Sequence, residues 1–171
     1  MSILENISRY GSCNILKQGM KRDSLKGLDT DNEFKDTGFT VQFSTNIKLE
    51  KAIIILGNET DFNVLGEIRS CKNITAVIDE ENINAVKMLS LTNCKTINCG
   101  MALNNTLNVS GQDKESICIS LQRKVESMKG KIIEPHDFLV TLRKPGSLYS
   151  TLISAAILLL SDIDSSKGYI F

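Results

Sequence analysis

Apolar positions along the chain follow two regimes, and the change falls near residue 100. From Lys51 to Gly100, short continuous apolar runs alternate with segments of helical spacing. Ile53-Ile54-Ile55-Leu56 is the first run. Thr75-Ala76-Val77-Ile78 is the second, closed by Asp79-Glu80-Glu81-Asn82. Lys95 to Gly100 is a third and weaker one. Runs of this length, rich in β-branched residues and separated by helices, predict neighbouring strands of a parallel sheet covered on both faces. One intervening helix is predicted through Val64, Leu65 and Ile68, with Thr60 or Asp61 as N-cap. Another is predicted from Asn82 to Ser90, with Ile83, Val86 and Leu89 on its apolar stripe.

From Asn105 the period drops to two. Thr106-Leu107-Asn108-Val109-Ser110 alternates, as does Ser116 to Arg123, and Gly111-Gln112-Asp113-Lys114 reads as the turn between them. Lys131 to Glu134 and Asp137 to Leu142 bring the set to about four strands, with Met128-Lys129-Gly130 as a further turn. Strict alternation predicts an antiparallel meander with one buried face. Pro145-Gly146-Ser147 then opens a helix to Ser161, with Ser147 as N-cap. Its apolar residues cover nearly the whole circumference, which predicts burial in the core or in an oligomer contact. The tail Tyr169-Ile170-Phe171 is expected to dock on the body or on a partner. The fold class expected is α/β: a three-layer, partly parallel Rossmann-like sheet over about 52–100, an antiparallel meander over about 105–142, and a buried helix over about 147–161.

Residues 1–36 are less legible. Ile3, Leu4 and Ile7, and then Ile15, Leu16 and Met20, each give one stripe of a short helix, broken by Gly11, Gly19 and Gly27. Lys17, Lys21, Arg22 and Lys26 form a basic cluster, read as a solvated face or as an anion or partner dock. Phe39, Val41 and Phe43 alternate with polar residues and predict a half-buried strand at a sheet edge. A length of 171 residues suits one domain with a real core.

Composition changes this picture little. Twenty basic and twenty acidic side chains balance, so charge gives no case for nucleic acid or an anionic membrane, and self-association is plausible. No apolar run reaches the roughly 20 residues of a membrane span, and Met1 to Arg9 lacks the apolar core of a signal peptide. A cytoplasmic protein is expected. Cys13, Cys71, Cys94, Cys99 and Cys118 are odd in number and have no Cys-x-x-Cys spacing, as small buried side chains in a reducing compartment would. With His136 the only histidine, a zinc site is not expected.

Candidate chemistry lies at the strand ends. Gly57-Asn58-Glu59-Thr60-Asp61 occupies the place of a phosphate loop, but it has one glycine and two carboxylates, which repel phosphate. Asp79, Glu80 and Glu81 sit where open α/β sheets bind ligands, and suit either a divalent metal or ribose, or a capped and solvated helix start. Asn58, Asp79, Glu80, Glu81, Asn98 and Gly100 form the candidate ligand-binding set. Glu134-Pro135-His136-Asp137 flanks the histidine with carboxylates, as an acid–base group or a charged turn, with no Ser or Cys in a nucleophile elbow nearby. No catalytic residue, metal or cofactor is assigned.

Thr75 to Leu160 resembles the second half of the central domain of Mur ligases, the ATP-dependent amide ligases of peptidoglycan precursor synthesis. Ala76 to Asn82 is similar to the family's "V-I-N-A-D-D-P" stretch, Lys95 to Gly100 to "K-V-I-T-Y-G", and Leu148 to Ala156 to the apolar half of "H-N-V-Y-N-A-L-A-A". A nearer resemblance is to short stand-alone Firmicutes proteins built like this half-domain. It rests on Ile97 to Ala102, on Ser120-Leu121-Gln122-Arg123, and on Gly130-Lys131-Ile132-Ile133-Glu134-Pro135-His136-Asp137-Phe138. The departures are specific. A Mur ligase needs Gly-x-x-Gly-Lys-Thr to hold phosphate, and here the one Gly-Lys, Gly130-Lys131, precedes Ile132. Gly146-Ser147 replaces the family's His-Asn, Ser150 its next Asn, and Ile78, Glu80 and Glu81 its Asn and paired Asp. The resemblance therefore implies the scaffold of a bacterial ligase without its triphosphate grip. It implies a non-catalytic domain that binds a protein or small ligand, with a link to cell-envelope metabolism and homo-oligomer formation as further expectations. The alternative is a nucleotide- or sugar-nucleotide-binding enzyme or sensor with its site at the C-terminal strand ends.

Overall fold

A strand whose successive residues are all apolar places side chains on both sides of a sheet, and both sides must then be covered. The computed structural model describes residues 14–18, 40–43, 52–56, 74–143 and 146–171. Strands β1 (Asn14–Gln18), β2 (Thr40–Phe43), β3 (Ala52–Leu56) and β4 (Ile74–Asp79) run parallel, side by side in the order β2-β1-β3-β4. Ile53, Ile54, Ile55 and Leu56 are all fully buried, as are Ala76 and Val77 on β4. By contacts the chain divides into two compact units. This sheet belongs to the first, Gly11–Ile97, and the second includes Asn98–Phe171. The α/β class and the parallel first half are as expected.

Two local expectations are corrected here. Ile15 and Leu16 lie in strand β1 rather than on a helical stripe. Seven residues between Gly11 and Gly19 are too few for a stable helix, and β1 pairs instead with a strand on each side. The helix after β4, α1 (Ile83–Ser90), buries Leu89 as expected but turns the other two residues of the expected stripe outward. Ala85, Met88 and Leu89 are buried, whereas Ile83 is 62% and Val86 43% exposed. Its buried residues join Ile54, Leu56, Ile74, Ala76 and Ile78 in one cluster. Asn82 sets the rotation. Its side chain accepts the Ala85 N–H at 3.0 Å and donates to the Leu56 carbonyl at 3.3 Å, which ties the helix start to the end of β3. The predicted helix through Val64, Leu65 and Ile68 and the stripe at Ile3, Leu4 and Ile7 lie outside the described residues.

β5 (Lys95–Gly100) carries the chain into the second unit. There β6 (Leu107–Gln112) runs parallel to the end of β5, with Gly100 opposite Asn108. β7 (Ser116–Leu121) and β10 (His136–Thr141) follow in antiparallel order. The hairpin expected at Gly111-Gln112-Asp113-Lys114 turns later. Gly111 and Gln112 stay in β6 past a bulge after Val109, and Asp113 accepts the N–H groups of Glu115 and Ser116 and the Ser116 hydroxyl. Those bonds, the Glu115 backbone first, hold the Asp113 carboxyl below its ordinary pKa. The meander expectation also needs correcting at Lys131 to Glu134. Ile132–Ile133 (β9) leaves the sheet and pairs with Val125–Glu126 (β8) in a separate two-stranded ribbon. Two residues per strand, one facing solvent, give too little apolar surface to hold a place in the main sheet.

Helix α2 (Leu148–Leu160) is capped by Ser147, whose hydroxyl accepts the Ser150 N–H, and its residues from Thr151 to Leu160 are all buried. Its end is a Schellman motif. Ile163 N–H bonds the Leu158 carbonyl and Asp162 N–H the Leu159 carbonyl, both at 3.0 Å. The left-handed position falls on Asp162, with φ of 63°. Both carboxylate oxygens of Asp162 are buried without a hydrogen-bond partner. The tail then docks on the body. β11 (Tyr169–Ile170) joins β10 in parallel, and Tyr169 and Phe171 are buried. Gly168 permits this approach: its φ is 69°, and a Cβ there would lie 2.4 Å from the Leu139 carbonyl oxygen.

Asp162→Gly removes both a left-handed side chain and a buried unpaired carboxylate. Urea titration should show a gain of about 1 kcal/mol or more. Gly168→Ala should cost about 2 kcal/mol or more by the same measurement, because the added Cβ meets backbone that cannot yield.

Candidate functional site

Ligands of open α/β sheets settle outside the carboxyl ends of the strands, where neighbouring connections diverge. In the order β2-β1-β3-β4 the direction of progress reverses between β1 and β3. Asn58, which comes after β3 in the sequence, lies outside the described residues. Asp79, Glu80 and Glu81 stand one strand further along, at the end of β4.

That acidic turn is engaged locally. Asp79 Oδ1 accepts the Glu81 N–H at 2.9 Å, and the Asp79 carbonyl accepts the Asn82 N–H at 3.0 Å. Asp79 and Glu80 are half-buried and Glu81 is exposed. Among the described residues, no three His, Cys, Asp or Glu side chains converge as a metal site. The immediate work of this turn is to start α1, with Asn82 as its cap.

The other two candidates, Asn98 and Gly100, belong to the second unit and open onto a larger polar assembly. Asn98 Nδ2 donates to Asn105 Oδ1 at 3.1 Å, and Asn98 Oδ1 accepts the Thr106 hydroxyl at 2.8 Å. The Thr106 N–H reaches the Asn98 carbonyl at 3.0 Å. Asn105 and Thr106 are both buried. The ladder then runs in one row across four strands: Gly100 opposite Asn108, Asn108 opposite Ser120, Ser120 opposite Asp137. Directly opposed residues share a face. Asn98, Thr106, Asn108, Ser120, Gln122 and Asp137 therefore all lie on one side of this sheet.

Contacts along the row are specific. Gln122 Nε2 donates to Asn108 Oδ1 at 3.0 Å, and the Ser120 hydroxyl donates to Asp137 Oδ1. Gln122 and Asp137 are exposed, while Asn108 and Ser120 beneath them are buried. One group is left over. Asn108 Nδ2 is buried and has no acceptor. Turning the amide over does not help, because one half of it still faces no partner. An unmet buried amide costs about 1–3 kcal/mol, and an acceptor brought by a ligand would recover that.

Asn105, Thr106, Asn108, Ser120, Gln122 and Asp137 are not in the ligand-binding set expected from sequence, where Asp137 figures only as a carboxylate beside His136. Their signal is present in the alternation, as the polar half of β6 and β7. Alternation marks which residues share a face and leaves open whether a polar face is wet or buried. No protein-family model and no curated protein matches this chain.

Asn98→Ala removes the acceptor of the buried Thr106 hydroxyl and the donor to Asn105 Oδ1, so it should cost about 1–3 kcal/mol in urea unfolding. Asn82→Ala loses a cap and a strand tether in the other unit and should cost about 1–2 kcal/mol.

Proposed function

We propose that this chain is a Mur-ligase-like binding domain that takes a small polar ligand on the face formed by Asn98, Asn108, Ser120, Gln122 and Asp137, and does not turn over nucleotide. One observation carries the reading: the buried Asn108 amide lacks an acceptor at the floor of a row whose rim, Gln122 and Asp137, is exposed. A ligand carbonyl or hydroxyl oxygen that accepts from Asn108 Nδ2 would complete that amide, and a ligand hydroxyl would find an acceptor in Asp137. The neutral amides of the row suit polar, uncharged groups and carry no cation to grip a triphosphate. Without a Gly-x-x-Gly-Lys-Thr stretch the sequence has no cradle for developing charge on a transferred phosphoryl group.

The acidic turn at Asp79–Glu81 supports a second reading, a nucleotide or sugar-nucleotide sensor at the end of β4. It is favoured by the position of that turn at a carboxyl strand end. Homo-oligomer formation, a cytoplasmic location and a part in cell-envelope metabolism remain proposals that follow from the neutral charge and the Mur-ligase resemblance.

A thermal-shift panel of sugars, nucleosides, nucleotides, sugar nucleotides and divalent metals separates the readings. Ligand at 100 times its dissociation constant adds about 2.7 kcal/mol. A shift abolished by Asn108→Leu and kept by Glu80→Ala/Glu81→Ala supports the row. The reverse pattern moves the site to β4, and a flat panel contradicts both. The same preparation should release no phosphate from ATP.

A further inference from the structure

His136 opens β10 on the face opposite the polar row, beside Phe138, with ring centroids 5.6 Å apart. Two hydrogen bonds define its ring. Nδ1 lies 2.7 Å from the Glu134 carbonyl, and Nε2 lies 2.6 Å from the Ser165 hydroxyl. A carbonyl oxygen only accepts, so Nδ1 carries the proton. Nε2 of the neutral ring then presents its lone pair, and the Ser165 O–H donates to it. This is the arrangement of a nucleophile beside a general base, with the base oriented by a third group. The sequence hides it, because the two residues lie 29 positions apart.

The loop that holds Ser165 is fixed at several points. Ile163 N–H bonds Leu158, the Tyr169 hydroxyl donates to the Ile163 carbonyl at 2.8 Å, and Gly168 N–H bonds the Ser165 carbonyl at 2.9 Å. Asp164 accepts both the N–H and the hydroxyl of Ser166. Among the described residues the Ser165 N–H has no protein acceptor, so it is available to an oxyanion forming at the carbon that Ser165 attacks. Ser165 is 8% exposed, which restricts access to small acyl groups.

We propose that Ser165 and His136 form a nucleophile–base pair that reacts with short-chain carboxylic esters. Ser165 Oγ bonds to the carbonyl carbon as its proton passes to His136 Nε2, and the carbonyl π pair moves onto oxygen beside the Ser165 N–H. Collapse breaks the bond to the alkoxy group, which leaves as alcohol with the proton from Nε2. Water, deprotonated by Nε2, releases the acid by the same route and restores Ser165. This goes beyond the binding face on the other side of the sheet, and either assignment can fail without the other.

The test is mass spectrometry of the native full chain after exposure to a small-alkyl fluorophosphonate, which forms a Ser165 Oγ–P bond and expels fluoride. The expected result is one adduct on Ser165, absent in Ser165→Ala, slowed about 100-fold or more in His136→Gln, and lost when the wild-type chain is unfolded in urea. Absence of an adduct on Ser165 in folded wild-type protein overturns the proposal. Equal labelling of the wild-type chain in urea, or an unchanged rate in a folded His136→Gln variant, does so too.

Discussion

Backbone pairing between strands buried on both faces is the constraint on which the first half of this protein rests. An unpaired N–H or carbonyl in such a position has no water to turn to. β3 and β4 therefore align from Ala52 opposite Ile74 to Leu56 opposite Ile78, and their side chains close the core above and below. The Asn82 side chain extends this pairing to the first turn of α1 by reaching the Leu56 carbonyl. Burial, helix start and strand end thus depend on one another.

The second half solves a different problem. Its sheet keeps one face apolar, with Ile117, Ile119, Leu121, Phe138 and Val140 buried, and sets polar side chains on the other. That polar face sinks below the surface at Asn108 and Ser120. Polar groups so placed must satisfy one another, and most do, through Asn98–Thr106, Asn108–Gln122 and Ser120–Asp137. The exception at Asn108 Nδ2 gives the face its interest, since a network with one free donor is poised for an acceptor from outside.

Sequence pattern made much of the scaffold readable. The β-branched runs at Ile53 and Thr75, the alternation in β6 and β7 and the cap at Ser147 each followed from local chemistry that the tertiary structure reinforces. Elements set by remote partners were not readable. Ile15 and Leu16 become strand because β2 and β3 flank them, and α1 turns Ile83 outward because Asn82 answers to β3. Of the candidate site, Asn98 and Gly100 were visible as a strand end. Asn108 and Ser165 acquire their character only from neighbours 14 and 29 residues away.

The proposed binding face is tested most directly by side-chain amide NMR of the uniformly ¹⁵N-labelled chain, titrated with the compound that most raises its melting temperature. The account predicts that the Asn108 and Gln122 NH₂ signals move together and saturate with the same affinity, while the backbone signals of Glu80 and Glu81 hold still. Movement confined to Glu80 and Glu81, with the Asn108 amide unchanged, would contradict it.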